Sequence, residues 1–206
     1  MIRLFAASTL ALAMTGAAAQ AQEVGITPGQ LDVRIELNGG TVVISRVQDQ
    51  ENTLTGPYVR TSRACPPDCL VPMRAAPGVE TIGELEVLAF LQTDVQSGDG
   101  LLVDTRLPAG YAELRLPGAV NIPFTTLEPS NPFRDQIMIA LGARETTGGL
   151  DFSNARRLAL YCDGPWCSGA RDGIRHLVEA GYPPGRLFFY RGGLQAWQLV
   201  GLSVQP

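Results

Sequence analysis

Between residues 79 and 206 the chain alternates short apolar runs with stretches of helical periodicity. Leu101-Leu102-Val103 closes on Asp104, and Ala119-Val120-Asn121-Ile122 is bounded by Pro117-Gly118 and Pro123. Leu158-Ala159-Leu160-Tyr161 opens into Cys162, and Leu187-Phe188-Phe189-Tyr190 stops at Arg191-Gly192-Gly193. Each run has strand length and ends at polar or turn-forming residues, which predicts four buried strands. Helices are predicted near 133–141, 168–180 and 194–200. An earlier one is expected where Thr81 and Glu84 form a capping box with Ile82, Leu85, Leu88, Ala89, Phe90 and Leu91. Short apolar strands separated by helices indicate an α/β class with a parallel sheet covered on both faces. Sites in such sheets lie beyond the C-terminal ends of strands, where Asp104 and Cys162 both fall.

The first part of the chain follows a different period. Residues 31–37 (LDVRIEL) and 41–47 (TVVISRV) alternate apolar and polar positions, and Asn38-Gly39-Gly40 between them is turn chemistry, so a β-hairpin is predicted. A polar connection over 48–63 leads to Cys65-Pro66-Pro67-Asp68-Cys69, where two prolines fix φ and remove two backbone donors. The pattern changes after Ala76-Pro77-Gly78. It divides the chain into an N-terminal extension, 22–78, and an α/β domain, 79–206.

Ahead of both, Met1-Ile2-Arg3 is a positive start, 4–14 is apolar, and Ala19-Gln20-Ala21 is a small-x-small site. A secretory signal peptide over 1–21 is therefore expected, with the mature chain starting near Gln22. The apolar stretch falls short of the roughly 20 residues of a membrane-spanning helix. The expected location is the periplasm, with no membrane span. The chain has 206 residues with 16 basic and 20 acidic side chains, a net charge of -4, which suggests no basic face for nucleic acid. Every basic side chain is Arg, so a Schiff-base lysine is excluded, and His176 is the single His. A His-rich metal site or a Ser-His-Asp triad would hang on that one residue. The chemistry falls to the cysteines.

Cys162-Asp163-Gly164-Pro165-Trp166-Cys167 joins the third predicted strand to the helix at 168–180. A cysteine at such a junction faces free helix N–H groups, and the dipole there favours thiolate over thiol.

Several strings in series resemble the signatures of a rhodanese domain. They are Leu101-Leu102-Val103-Asp104-Thr105-Arg106, Leu116 to Pro123 (LPGAVNIP), Leu160-Tyr161-Cys162, Glu179-Ala180-Gly181-Tyr182, Tyr190 to Trp197 (YRGGLQAW) and Gly201-Leu202. The hairpin and CPPDC segment are similar to the extension of a periplasmic rhodanese-like subgroup. The resemblance implies a three-layer fold, a central parallel sheet flanked by helices, with the small N-terminal β-hairpin extension added. It also implies sulfur transfer: Cys162 takes a sulfane sulfur from thiosulfate or a related small sulfur-containing anion and passes it to a thiol acceptor. Backbone N–H groups around Asp163, Gly164 and Ser168 would cradle the persulfide, Arg171 and Arg106 would supply charge, and Trp166 would wall the pocket or cover the loop. Asp104 is expected to brace the loop. No cofactor is implied. A common rhodanese loop carries Arg and Ser five and six positions after the cysteine, where this chain has Cys167 and Ser168.

Cys167 opens three readings. It resolves a Cys162 persulfide, with a periplasmic thiol reductant resetting the pair; the two cysteines act as a dithiol-disulfide couple without sulfane sulfur; or all four cysteines are structural in a silent binding module. Cys65 and Cys69 are expected to form a bridge, and a relay to the active loop is a further role that sequence cannot place. Spacings of three and four intervening residues are looser than zinc knuckles, so no metal is assigned. His176 is expected to face solvent beside Asp172 and Glu179, Gly192 and Gly193 to permit a tight turn, and Trp197 to fill the core.

Overall fold

The computed structural model describes residues 23–206, so the leader expected over 1–21 lies outside the described residues. Strands β1 (Asp32–Leu37) and β2 (Gly40–Ser45) form the N-terminal hairpin, register Val33 to Ile44 and Ile35 to Val42. Asn38 and Gly39 between them both have positive φ, 52° and 80°, the geometry of a two-residue turn that follows the strand twist.

Five strands build the central sheet: β3 (Glu80–Ile82), β4 (Gly100–Asp104), β5 (Ala119–Asn121) and, after a small hairpin of β6 (Arg144–Thr146) and β7 (Gly149–Asp151), β8 (Arg157–Tyr161) and β9 (Leu187–Tyr190). The order is β3-β9-β8-β4-β5 and every pairing is parallel. The four predicted runs are thus the inner strands and one edge. The second edge, β3, takes residues read from sequence as the start of a helix. Thr81 pairs with Phe189 in the sheet instead of capping, and the cap is made two residues later, where the Gly83 N–H donates to Glu86 Oε2 at 3.0 Å. Helix α1 (Glu84–Phe90) then runs into a wider π turn over Leu91–Val95.

The remaining helices are α2 (Pro108–Glu113), which sequence periodicity missed, α3 (Arg134–Ala140), α4 (Gly169–Glu179) and α5 (Gly193–Leu199). Alternation along β8 sorts its side chains into two cores. Leu158 and Leu160 pack with Ile174 and Leu177 of α4, while Ala159 and Tyr161 pack with Leu88 of α1 and Leu194 and Trp197 of α5. The hairpin belongs to the second of these cores, since Val33, Ile35 and Ile44 are fully buried there. Burying each such side chain stabilises by about 1.5–3 kcal/mol. Its far end is stitched to the C-terminal residues by Val47 N–H to Gly201 O at 2.7 Å and Ser203 N–H to Ser45 O at 2.8 Å.

Candidate active site

The loop from Cys162 to Ser168 leaves the central strand β8 and enters α4. Cys162 is 4% exposed and Cys167 is half-buried, and the two are joined in a disulfide with their Cα atoms 6.0 Å apart. Gly169, the first residue of α4, sits against the sulfur: a Cβ there would lie 3.2 Å from Cys162 Sγ and from Phe124 Cδ1. Absence of a side chain lets the helix N-terminus approach the sulfur. Ser168 precedes α4 without a side-chain cap, so the N–H groups of the first turn stay available to an anion.

A second helix holds the loop from the other side. The Leu194 N–H donates to Cys162 O at 3.1 Å and the Gln195 N–H to Asp163 O at 2.8 Å. Gly193, at φ 58°, makes that approach possible, because a Cβ there would stand 2.3 Å from Cys162 O. The double glycine therefore does more than turn the chain from β9 into α5. It seats the cysteine loop on a helix end.

Beneath the loop lies a buried polar network. Asp104 is fully buried and accepts from Arg106 Nε, Arg106 Nη2, the Arg106 N–H and the Tyr161 hydroxyl, the last at 2.8 Å. Arg106 also donates from Nη2 to Leu114 O, and from Nη1 to the Tyr58 hydroxyl at 3.2 Å and Asp163 Oδ1 at 3.3 Å. The Tyr58 hydroxyl donates to the same Asp163 oxygen at 2.8 Å. Every guanidinium N–H of Arg106 is thus engaged by a protein acceptor. The cation that sequence placed on the donor is spent on holding Asp104 and Asp163. Burial works against its charge, but the Asp104 hydrogen bonds and charge, with Tyr58 and Asp163, outweigh it and hold the guanidinium above its ordinary pKa. Burial first, then the Asp163 charge, raises the Tyr58 hydroxyl well above the usual tyrosine range, which keeps it a donor. Burial and the Asp104 charge act likewise on Tyr161. Arg171, the other candidate cation, is held by Asp172 Oδ1 from Nε at 3.1 Å and Nη2 at 2.9 Å.

A family model for the rhodanese-like domain matches residues 88–199, more than half of the chain. The chain belongs to the rhodanese-like family. A sulfurtransferase from Allochromatium vinosum is 28% identical over 125 residues, covering 60% of this chain and 94% of that protein. An HTH-type transcriptional regulator from Mycobacterium tuberculosis is 32% identical over 109 residues, 53% of this chain, and the match spans 39% of the regulator's length. Among solved structures, a human single-domain sulfurtransferase is similar at 20% identity with a TM-score of 0.42, covering 59% of this chain and 96% of that one. The thiosulfate sulfurtransferase of Pseudomonas aeruginosa, also 20% identical with a TM-score of 0.42, aligns over 62% of this chain and 20% of its own.

Outside the interval matched as rhodanese-like, the N-terminal segment lies over the loop. Trp166 Nε1 donates to Gln195 Oε1 at 2.8 Å, and Gln195 Nε2 donates to Tyr58 O at 2.8 Å. The Arg63 guanidinium stacks 3.5 Å above the Trp166 ring centre, and the Val71 N–H donates to Pro165 O at 2.9 Å. Cys65 and Cys69, between those last two anchors, form a disulfide with Cα atoms 4.7 Å apart. Trp166 is thereby held at its ring nitrogen by Gln195 and on its face by Arg63. Ligand atoms of Cys162, Asp163 and Cys167 lie within 4.8 Å of one another, but with the two sulfurs joined the trio offers a metal no thiolate.

Sequence reasoning missed Tyr58, Gln195, Arg63 and Gly169. Tyr58 and Arg63 sit in a stretch read as polar connection, and nothing local marks them, because what they touch lies about a hundred residues away. His176 corrects an expectation: it is half-buried, and its Nδ1 is enclosed without a hydrogen-bond partner among the described residues. Trp197 is fully buried, as expected.

Proposed function

We propose that the protein is an exported, periplasmic sulfurtransferase that carries sulfane sulfur as a persulfide on Cys162. The observation that carries this reading is the place of Cys162 Sγ, at the C-terminal end of β8 and against Gly169 at the N-terminus of α4. The reaction needs a thiolate and then a cradle for an anionic persulfide, and a helix N-terminus serves both. With thiosulfate as donor, the Cys162 thiolate attacks the outer sulfur, the sulfur–sulfur bond of the donor breaks, and sulfite leaves with the bonding electron pair. Arg171, in the first turn of α4 and ion-paired with Asp172, is the candidate cation to draw the donor, since the Arg106 guanidinium is fully engaged beneath the loop.

Discharge has two routes. An outside thiol takes the sulfur directly, or Cys167 attacks Cys162 Sγ, forming the Cys162–Cys167 disulfide and releasing hydrosulfide. The second route ends in the bonded pair seen here, and two electrons from an external thiol reductant return it to two thiols. That disulfide also supports a second reading, dithiol-disulfide exchange without sulfane sulfur.

Intact-mass analysis of the reduced protein after incubation with thiosulfate separates them. The expected result is a cyanide-labile gain of one sulfur atom in wild type or in Cys167→Ser, lost in Cys162→Ser. Absence of the gain in both wild type and Cys167→Ser overturns sulfur transfer from this donor, and catalysed oxidation or reduction of a substrate dithiol would then favour exchange.

A further inference from the structure

We propose that Cys65 and Cys69 are a second redox couple that hands electrons to the Cys162–Cys167 disulfide. The idea rests on the reading above only in taking the loop disulfide as a form that must be reduced. Two contacts bracket the outer pair onto the loop. Cys69 lies two residues from Val71, whose N–H is hydrogen-bonded to Pro165 O at 2.9 Å, and Cys167 lies two residues beyond Pro165. On the other flank, Cys65 is two residues from Arg63, which stacks on Trp166, the neighbour of Cys167. Arg191 fixes the same corner by donating from Nε and Nη2 to Val71 O at 3.0 and 2.9 Å. Chain length alone then holds the Cα atoms of Cys69 and Cys167 within roughly 20 Å. Exchange brings them to about 6 Å, so the CPPDC turn closes onto the loop in the transfer.

Exposure orders the four cysteines. Cys65 is exposed, Cys69 and Cys167 are half-buried, and Cys162 is buried. A protein dithiol reaches the first and is kept from the last. The short turn that the outer bridge closes is also held by two prolines and by the hydrogen bonds Asp68 N–H to Ala64 O at 3.1 Å and Cys69 N–H to Pro67 O at 2.9 Å.

The steps balance. An external dithiol is oxidised to its disulfide as it reduces Cys65–Cys69 to two thiols. The Cys69 thiolate attacks Cys167 Sγ, a Cys69–Cys167 bond forms, and the Cys162–Cys167 bond breaks with its electron pair going to Cys162. Cys162 is the sulfur that leaves well, since it faces the N-terminus of α4. The Cys65 thiolate then attacks Cys69 Sγ, re-forming the outer disulfide and releasing Cys167 as a thiolate. Two electrons and the two protons of the outer thiols pass to the loop, and Cys162 is left in the state that accepts sulfur.

The full-length double variant Cys65→Ser/Cys162→Ser retains only Cys69 and Cys167. On mild oxidation at low protein concentration it is expected to form an intramolecular Cys69–Cys167 disulfide, seen as a monomer lighter by two hydrogens and located by peptide mapping. Two free thiols, or disulfide-linked dimers alone, overturn the proposal. A second arm uses Cys65→Ser/Cys69→Ser, which keeps the loop disulfide. Its reduction by thioredoxin is expected to slow at least tenfold against wild type while reduction by dithiothreitol is unchanged, and equal thioredoxin rates overturn the relay. Persulfide loading of the chemically pre-reduced form of this variant tests sulfur transfer separately, so the two readings fail in different experiments.

Discussion

The two disulfide-bearing segments differ by one residue in spacing and by almost everything in surroundings. Cys65–Cys69 closes an exposed turn whose hydrogen bonds are internal to it. Cys162–Cys167 lies between the end of β8, the N-terminus of α4 and the first turn of α5, over a network reaching Asp163, Arg106, Asp104, Tyr58 and Tyr161. Like chemistry on the two pairs thus meets unlike electrostatics and unlike access. Those surroundings, which govern how readily a cysteine ionises, are set by the strand and helix ends around it and not by the spacing of the pair.

The largest break in that contrast is expected from Arg106→Met. It leaves the fully buried Asp104 without its counter-ion, and removing one partner of such a pair costs about 3–5 kcal/mol. Urea unfolding measures the loss, and the corresponding surface change beside the outer disulfide, Leu70→Ser at 82% exposure, should stay within about 0.5 kcal/mol. Comparable losses at the two sites would show that the polar network does not set the loop region apart.

Next comes Gly193→Ala. Its positive φ and the approach of Cys162 O together predict a cost of about 3 kcal/mol from left-handed strain and overpacking. Because the clash falls on the loop, persulfide loading by thiosulfate should drop along with stability. Unchanged loading in the folded variant would remove α5 from the account of how the loop is held.

The smallest effect is set by pH. Burial is the leading cause that raises the pKa of Tyr58, Tyr161, Tyr182 and Tyr190 in the folded protein. Unfolded tyrosines ionise near about pH 10, so above that pH the unfolded chain binds fewer protons than the folded one. The stabilisation is present below about pH 10 and is lost as pH rises beyond it. Tyr58→Phe should cost about 1 kcal/mol at neutral pH and make the alkaline decline shallower. A decline as steep as that of wild type, followed by urea unfolding at stepped pH, would exclude Tyr58 from the titrating set.

Much of the sheet was legible because its signals are local. Apolar runs at 101–103, 119–122, 158–161 and 187–190 needed only their composition and flanking glycine, proline or polar residues, and the hairpin needed only alternation and Asn38-Gly39. β3 was not legible, because three residues carry no period and Thr81 is drawn into the sheet by pairing with β9. Arg106 was misplaced for a related reason: its sequence neighbourhood advertises a free cation, and its fate depends on Asp104, Tyr58 and Asp163 converging around it.

Sequence by itself determined the alternation of strands and helices, the position of Cys162 between a strand and a helix, and the candidacy of two cysteine pairs. These follow from periodicity, turn chemistry and spacing, which act between near neighbours. Tertiary structure alone decided that Cys162 is the buried sulfur, that Arg106 serves Asp163, and that the segment carrying Cys65 and Cys69 lies over the loop. Those depend on burial and on hydrogen bonds between residues far apart in the chain, and only packing brings such residues together.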